Sequence, residues 1–181
     1  MSEHASPPRV DIKHAGQSAL QLAGHDFLQN YERLMLETKA LGAVNVLDWG
    51  VRFELLPNQE GHAQVVMHLG AEVTLPLTCQ RCLGPVDISV QIERTFRFVE
   101  TEAQAELEDD ASAEDVLVAS RDFDLMALVE DEVLMDLPVV PRHEVCPVAV
   151  QLVAADTDFE EAPVKPNPFA VLAGLKVPGN P

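Results

Sequence analysis

The sequence predicts an α+β fold: an antiparallel β-sheet meander packed against two helices, with an acidic loop and a flexible C-terminal tail. Three observations carry this reading. Three successive stretches alternate apolar and polar residues with the two-residue period of a half-buried strand. Short, turn-forming breaks join them, which suits an antiparallel meander better than parallel crossovers. Two further stretches repeat their apolar residues at helical spacing instead. With 181 residues, 47% of them hydrophobic and 23% charged, the chain is long enough to bury one core.

Residues 1–9 read as a leader, polar through Pro7-Pro8 and packing little, ahead of a single domain over 10–147. Leu22, Phe27, Leu28, Tyr31, Leu34 and Met35 approximate helical periodicity, so a helix is expected over 25–38, starting near Gly24 or His25. The first strand, 44–56, carries Leu47, Trp49, Val51, Phe53 and Leu55 on one parity, and Pro57 to Gly61 turn the chain. The second, 63–79, places Val65, Met67, Leu69, Ala71, Val73, Leu75, Leu77 and Cys79 on one face, with Gly70 a candidate bend. The third, 85–99, follows Leu83-Gly84-Pro85 and sets Val86, Ile88, Val90, Ile92, Phe96 and Phe98 together. Arg94 falls on that apolar parity, where it must pair with a carboxylate, bulge outward or bind a partner.

From Glu100 to Asp115 there are eight acidic residues and no basic one, so repulsion and low hydrophobicity predict a poorly ordered loop over 100–115. Val116 to Ala119 is expected to return as an edge strand. Asp122 or Asp124 then caps a helix over 124–137, lined by Leu125, Leu128, Val129, Val133 and Leu137 and ended by Pro138. Residues 148–181 read as an acidic, proline-containing linker and an apolar tail motif. In that motif Phe169, Leu172 and Leu175 repeat every three residues as candidate partner anchors.

Thirty acidic against twelve basic residues give a formal charge of -18, which excludes wrapping nucleic acid over the whole surface. DNA is not an expected partner, and any RNA contact must be local or indirect. No apolar stretch reaches membrane-spanning length and the N-terminus lacks the features of a signal peptide, so a cytoplasmic protein without a membrane partner is expected. Phosphate-binding, dinucleotide-binding, nucleophile-elbow and zinc-protease motifs are all missing from the sequence, which points away from an enzyme.

The sharpest local feature is Cys79-Gln80-Arg81-Cys82, whose two-residue gap lets two thiolates converge on one ion. His143-Glu144-Val145-Cys146 has the same gap, so Cys79, Cys82, His143 and Cys146 could form a closed zinc site. Two other readings compete with it. Cys79 could pack as a small hydrophobe while Cys82 and Cys146 stay free thiols, or Cys79 and Cys82 could act as a thiol-redox pair. If the zinc site forms, Arg81 and Arg142 come together as a small cationic spot for RNA or a protein partner; otherwise they are two unrelated surface arginines.

Taken in order, CQRCLGPV, DLMALVEDEVLMDLPVVPRHEVC and KPNPFAVLAGLK resemble the YceD family of large ribosomal RNA subunit accumulation proteins, with bacterial members and plastid relatives. The resemblance covers roughly residues 10–176. It implies a non-enzymatic role in synthesis, processing or stability of large-subunit (23S) ribosomal RNA, and so in ribosome biogenesis. A basic ribosomal protein or ribosome-assembly factor would suit the acidic chain as direct partner, with the RNA contacted directly or through it. Some members carry extra cysteines after the helix, where this chain has His143 and Cys146.

Overall fold

The computed structural model describes residues 9–57, 61–109, 112, 114–150 and 169. Met1–Ala149 form one compact unit and Val150–Pro181 a second, of which only Val150 and Phe169 are described. The expected leader, apart from Arg9, and most of the expected linker and tail lie outside the described residues.

Strand β1, Arg9–Val10, leads into helix α1, Ile12–Gln17, where the Asp11 side chain accepts a hydrogen bond from the His14 amide at 3.1 Å. Six residues are too few to show a periodic signature, yet Ile12 and Ala15 are fully buried.

The helix expected over 25–38 is a correction. Gln21–Phe27 form strand β2, Leu28–Asn30 a single 3-10 turn, and only Glu32–Glu37 are α-helical (α2). β2 is an edge strand with half-exposed residues, so its own alternation is faint beside the apolar spacing of 27–35. Gly24 does not break a helix there; it makes room for Trp49, since a Cβ at position 24 would lie 2.6 Å from the indole. The indole Nε1 donates to Asp26 Oδ2 at 2.6 Å and the Tyr31 hydroxyl donates to the same oxygen at 3.2 Å. Burial, followed by the Asp26 charge and that bond, pushes the Tyr31 phenol above its usual range.

Strands β3 (Val46–Pro57), β4 (Ala63–Thr78) and β5 (Pro85–Val99) match the predicted stretches closely, and β4 runs unbroken through Gly70. The acidic stretch is a second correction, because Glu102–Asp109 form helix α3. Its charges are compensated from outside the stretch: Arg97 reaches Glu108 at 2.6 Å and Lys13 reaches Glu100 at 2.7 Å. Ala105 packs with Val99 and Val116 in a small second core. Asp115–Val118 then form β6 parallel to β5, close to the expected edge strand, giving a sheet ordered β2-β3-β4-β5-β6 whose other pairs are antiparallel.

Phe123–Asp124 (β7) pair with β1, and Asp124 accepts the Ala127 amide at 2.9 Å to cap helix α4, Leu125–Met135. One face of the sheet, with Phe53, Met67, Leu75 and Phe96, shares a core with Ile12, Leu34, Leu125, Val129 and Val133 from α1, α2 and α4. The nearly buried Glu130 carboxylate locks α2 to α4. It accepts the Arg33 and Leu34 amides at 2.8 and 3.1 Å and Arg33 Nε at 2.9 Å, filling donors that the start of α2 leaves unpaired. Among the described residues no helix is long and apolar enough to cross a membrane.

Candidate metal centre

Alternation along β4 delivers Cys79 to the covered face of the sheet, where it is fully buried. Pairing of Thr78 with Pro85 forces the six intervening residues into a tight turn. The Cys79 amide donates to the Gly84 carbonyl at 2.8 Å and the Leu83 amide donates to the Cys79 carbonyl at 2.9 Å, with Leu83 in the left-handed region at φ 60°. That closure folds Cys82 back towards Cys79.

The second half arrives from α4. Beyond Leu137 the chain runs irregularly back across the turn, held by the Gln80 amide donating to the Pro141 carbonyl at 2.8 Å. Arg81 Nη2 also donates to the His143 carbonyl at 2.8 Å. Cys79 Sγ and Cys146 Sγ lie 4.0 Å apart, Cys82 Sγ lies 3.4 Å from His143 Nδ1, and all four donor atoms fall within 4.8 Å of one another. A tetrahedral ion bonded at about 2.3 Å to sulfur and about 2.0 Å to nitrogen needs donor separations of about 3.5–3.8 Å, so the set matches with closure of about 1 Å.

Burial pushes the Cys79 thiol up, but hydrogen bonds from the backbone of Cys82, His143 and Arg81 outweigh it and bring the group down to about 5. Burial and the neighbouring Cys82 and Cys79 sulfurs push Cys146 up to about 11. One negative charge is thus welcome in the cluster and a second is resisted unless a cation enters. These four residues can hold a metal ion, and the two ligand pairs read from sequence spacing do meet.

The remaining candidates divide. Arg81 and Arg142 are both exposed, and Arg81 is tied to the second ligand segment through His143. Arg94 instead takes the ion-pair option, with Nε 3.3 Å from Glu132 Oε2 and Nη2 3.6 Å from Asp136 Oδ1. The Glu132 approach is a charge contact without hydrogen-bond alignment, since Oε2 has no hydrogen-bond partner. Desolvation accordingly holds the Glu132 carboxyl above its usual range despite Arg94. Phe169 is exposed, while Leu172 and Leu175 lie outside the described residues. Sequence spacing missed Lys39, which lines a cleft of about 600 Å³ together with Gln80, Leu137, Val139 and Pro141 beside the cluster. Nothing local to Lys39 could have signalled a neighbour this distant along the chain.

The profile of the family described as large ribosomal RNA subunit accumulation protein YceD matches residues 67–176, which span both ligand pairs. The chain belongs to the YceD family. A Haemophilus influenzae relative, described as large ribosomal RNA subunit accumulation protein YceD, is 35% identical over 156 residues, covering 83% of this chain and 87% of its own. No solved structure matches. The family match contains the knuckle, β5, α4 and the segment with His143 and Cys146, so all four residues of the candidate metal cluster lie within the matched part of the chain.

Proposed function

We propose that this chain is a non-enzymatic factor for synthesis, processing or stability of large-subunit (23S) ribosomal RNA, acting in ribosome biogenesis in the cytoplasm. Membership of the YceD family carries the reading, because the relative and the family are described by accumulation of large-subunit ribosomal RNA. The direct partner is a ribosomal protein or a ribosome-assembly factor, and the formal charge of -18 favours a basic one. Zinc is the cofactor, held by Cys79, Cys82, His143 and Cys146. Three thiolates and one imidazole with no open position suit a closed structural zinc site rather than a catalytic one.

Depleting the protein should lower mature large-subunit RNA relative to small-subunit RNA; an unchanged ratio refutes the reading. Protein purified without chelator should carry near-stoichiometric zinc by elemental analysis and lose it in Cys82→Ser. Zinc retained in that variant would refute the ligand set.

A further inference from the structure

The face of the sheet turned away from α1, α2 and α4 is bare among the described residues except at its β6 corner, where Ala105 of α3 packs on Val99 and Val116. Gly50 stands directly opposite Gly70 in unbroken register between β3 and β4, so neither marks a bulge or a bend. A Cβ added at either position would meet nothing closer than 3.8 Å, so no packing constraint inside the fold demands glycine. Glycine weakens a strand interior, and with bulge and bend absent the use that remains for it is close approach of another chain.

Around this side-chain-free floor stand Asp48, Glu72, Asp87 and Glu93, all exposed. Asp48 contacts His25, whereas Glu72, Asp87 and Glu93 have no cation partner among the described residues. Glu54 joins these four acids on the same face, against Arg52, His25 and His68, so the face stays negative even with both histidines charged. At its borders Arg97 is matched by Glu108 and Glu114, and Lys39 shares its cleft with Glu37. Next to the acids, Phe27 and Val46 pair in register and are 49% and 40% exposed, with Val44 at 76% two residues earlier.

We propose that this face docks an extended, Lys/Arg-rich segment of a partner protein. One cationic side chain lays its stem over Gly50 and Gly70 with its head between Glu72 and Glu93, and an apolar residue of the segment covers Phe27 and Val46. Charge complementarity selects this occupant, since RNA and a second copy presenting the same face both meet like charge. The inference rests on the reading of a basic ribosomal partner and deepens it by naming the surface that holds it.

The test uses the full-length metal-loaded protein and a fluorescein-labelled peptide of about twelve residues alternating Arg and Val, read by anisotropy at about 150 mM salt. Glu72→Gln with Glu93→Gln should weaken binding at least ~5-fold, while Glu102→Gln with Glu106→Gln, which removes the same charge from exposed positions of α3, leaves it unchanged. Gly70→Val keeps every charge and raises strand propensity, so it should hold the melting temperature yet weaken binding at least ~5-fold by filling the floor. A peptide alternating Arg and Ser, of equal charge, should bind at least ~5-fold more weakly than the Val peptide, because it leaves Phe27 and Val46 uncovered. Undetectable peptide binding, equal affinity for the two peptides, an equal loss in the α3 variant, or unchanged binding by a stable Gly70→Val overturns the proposal. So does binding of single-stranded RNA, or a dimer in sedimentation, that Gly70→Val abolishes. If Gly70→Val lowers the melting temperature, the charge variants, which relieve repulsion, decide alone. Loss of large-subunit RNA on depletion is a separate measurement, so this inference can fail while the functional reading survives.

Discussion

If zinc is bound at the cluster as proposed, removing it should release the segment Pro138–Cys146 while the sheet and α4 stay folded. These nine residues form no helix or strand, and Val139 and Val145 are almost fully exposed, so little apolar burial holds the segment down. Fixing nine backbones costs about 9–18 kcal/mol at 1–2 kcal/mol each. The two tethers, Gln80 amide to Pro141 and Arg81 to His143, return about 2–4 kcal/mol together. A structural zinc ion supplies an apparent free energy of about 10–16 kcal/mol, already net of ordering its ligand segment, which is enough to hold this one in place. Hydrogen-exchange mass spectrometry with and without a chelator reads the effect directly. Protection should vanish across 138–146 and the 79–84 turn, and persist in β3, β4, β5 up to the turn and in α4. Equal protection of 138–146 after verified metal removal would refute the argument.

The other predictions concern the helical layer. Glu130→Ala strips three hydrogen bonds from a nearly buried carboxylate and orphans two amides of α2, so unfolding free energy in urea should fall by about 3–5 kcal/mol; a loss below about 1 kcal/mol would show that α2 holds without the clamp. Glu132 behaves oppositely. Its folded-state pKa is raised by desolvation, so its contribution to stability is fully present below its ordinary carboxyl range and is lost as pH rises through the folded value. Glu132→Gln should therefore be as stable as the parent protein or more so at pH 8, with the gap closing in thermal melts as pH falls through the raised folded value towards the ordinary carboxyl range; a variant clearly weaker at pH 8 would mean that the Arg94 pair outweighs desolvation.

Strands β3, β4 and β5 were legible because their period of two persists for twelve to sixteen residues with one face buried. The region 25–38 misled because its apolar residues do enter the core, yet a 3-10 turn and a short helix present them. Leu28, Tyr31 and Leu34 are buried as a helical pattern would have them, and the backbone reaches them by another route. The acidic stretch misled for the opposite reason: a window of sequence shows Glu108 and Glu100 repelling their neighbours, but not Arg97 and Lys13 arriving from other elements. At the metal centre the spacing within each pair was visible. That the pairs meet depends on the turn after β4 and the return beyond α4, and so does the approach of Lys39.

The acidic surface has a bearing on where an anion can approach. In the sheet register Asp48 stands directly opposite Glu72, and Glu93 joins them around a shallow trough of about 270 Å³ on the open face. Like charges directly opposite one another destabilise a sheet, so this arrangement works against the fold that carries it. From Glu72 to Thr78 is six residues of extended strand, about 20 Å, which exceeds two Debye lengths at physiological salt. Asp87, opposite Pro76 on the same face, stands only about 7 Å of strand from the Thr78–Pro85 pair, inside one Debye length, so repulsion from the open face does extend to that end of the sheet. An anionic partner is therefore resisted across the open face. Neutralising the pair with Glu72→Gln should then raise the unfolding midpoint in urea, because it removes the like charge opposite Asp48. An unchanged or lower midpoint would mean that the repulsion is already relieved, with the His25 contact to Asp48 the candidate cause.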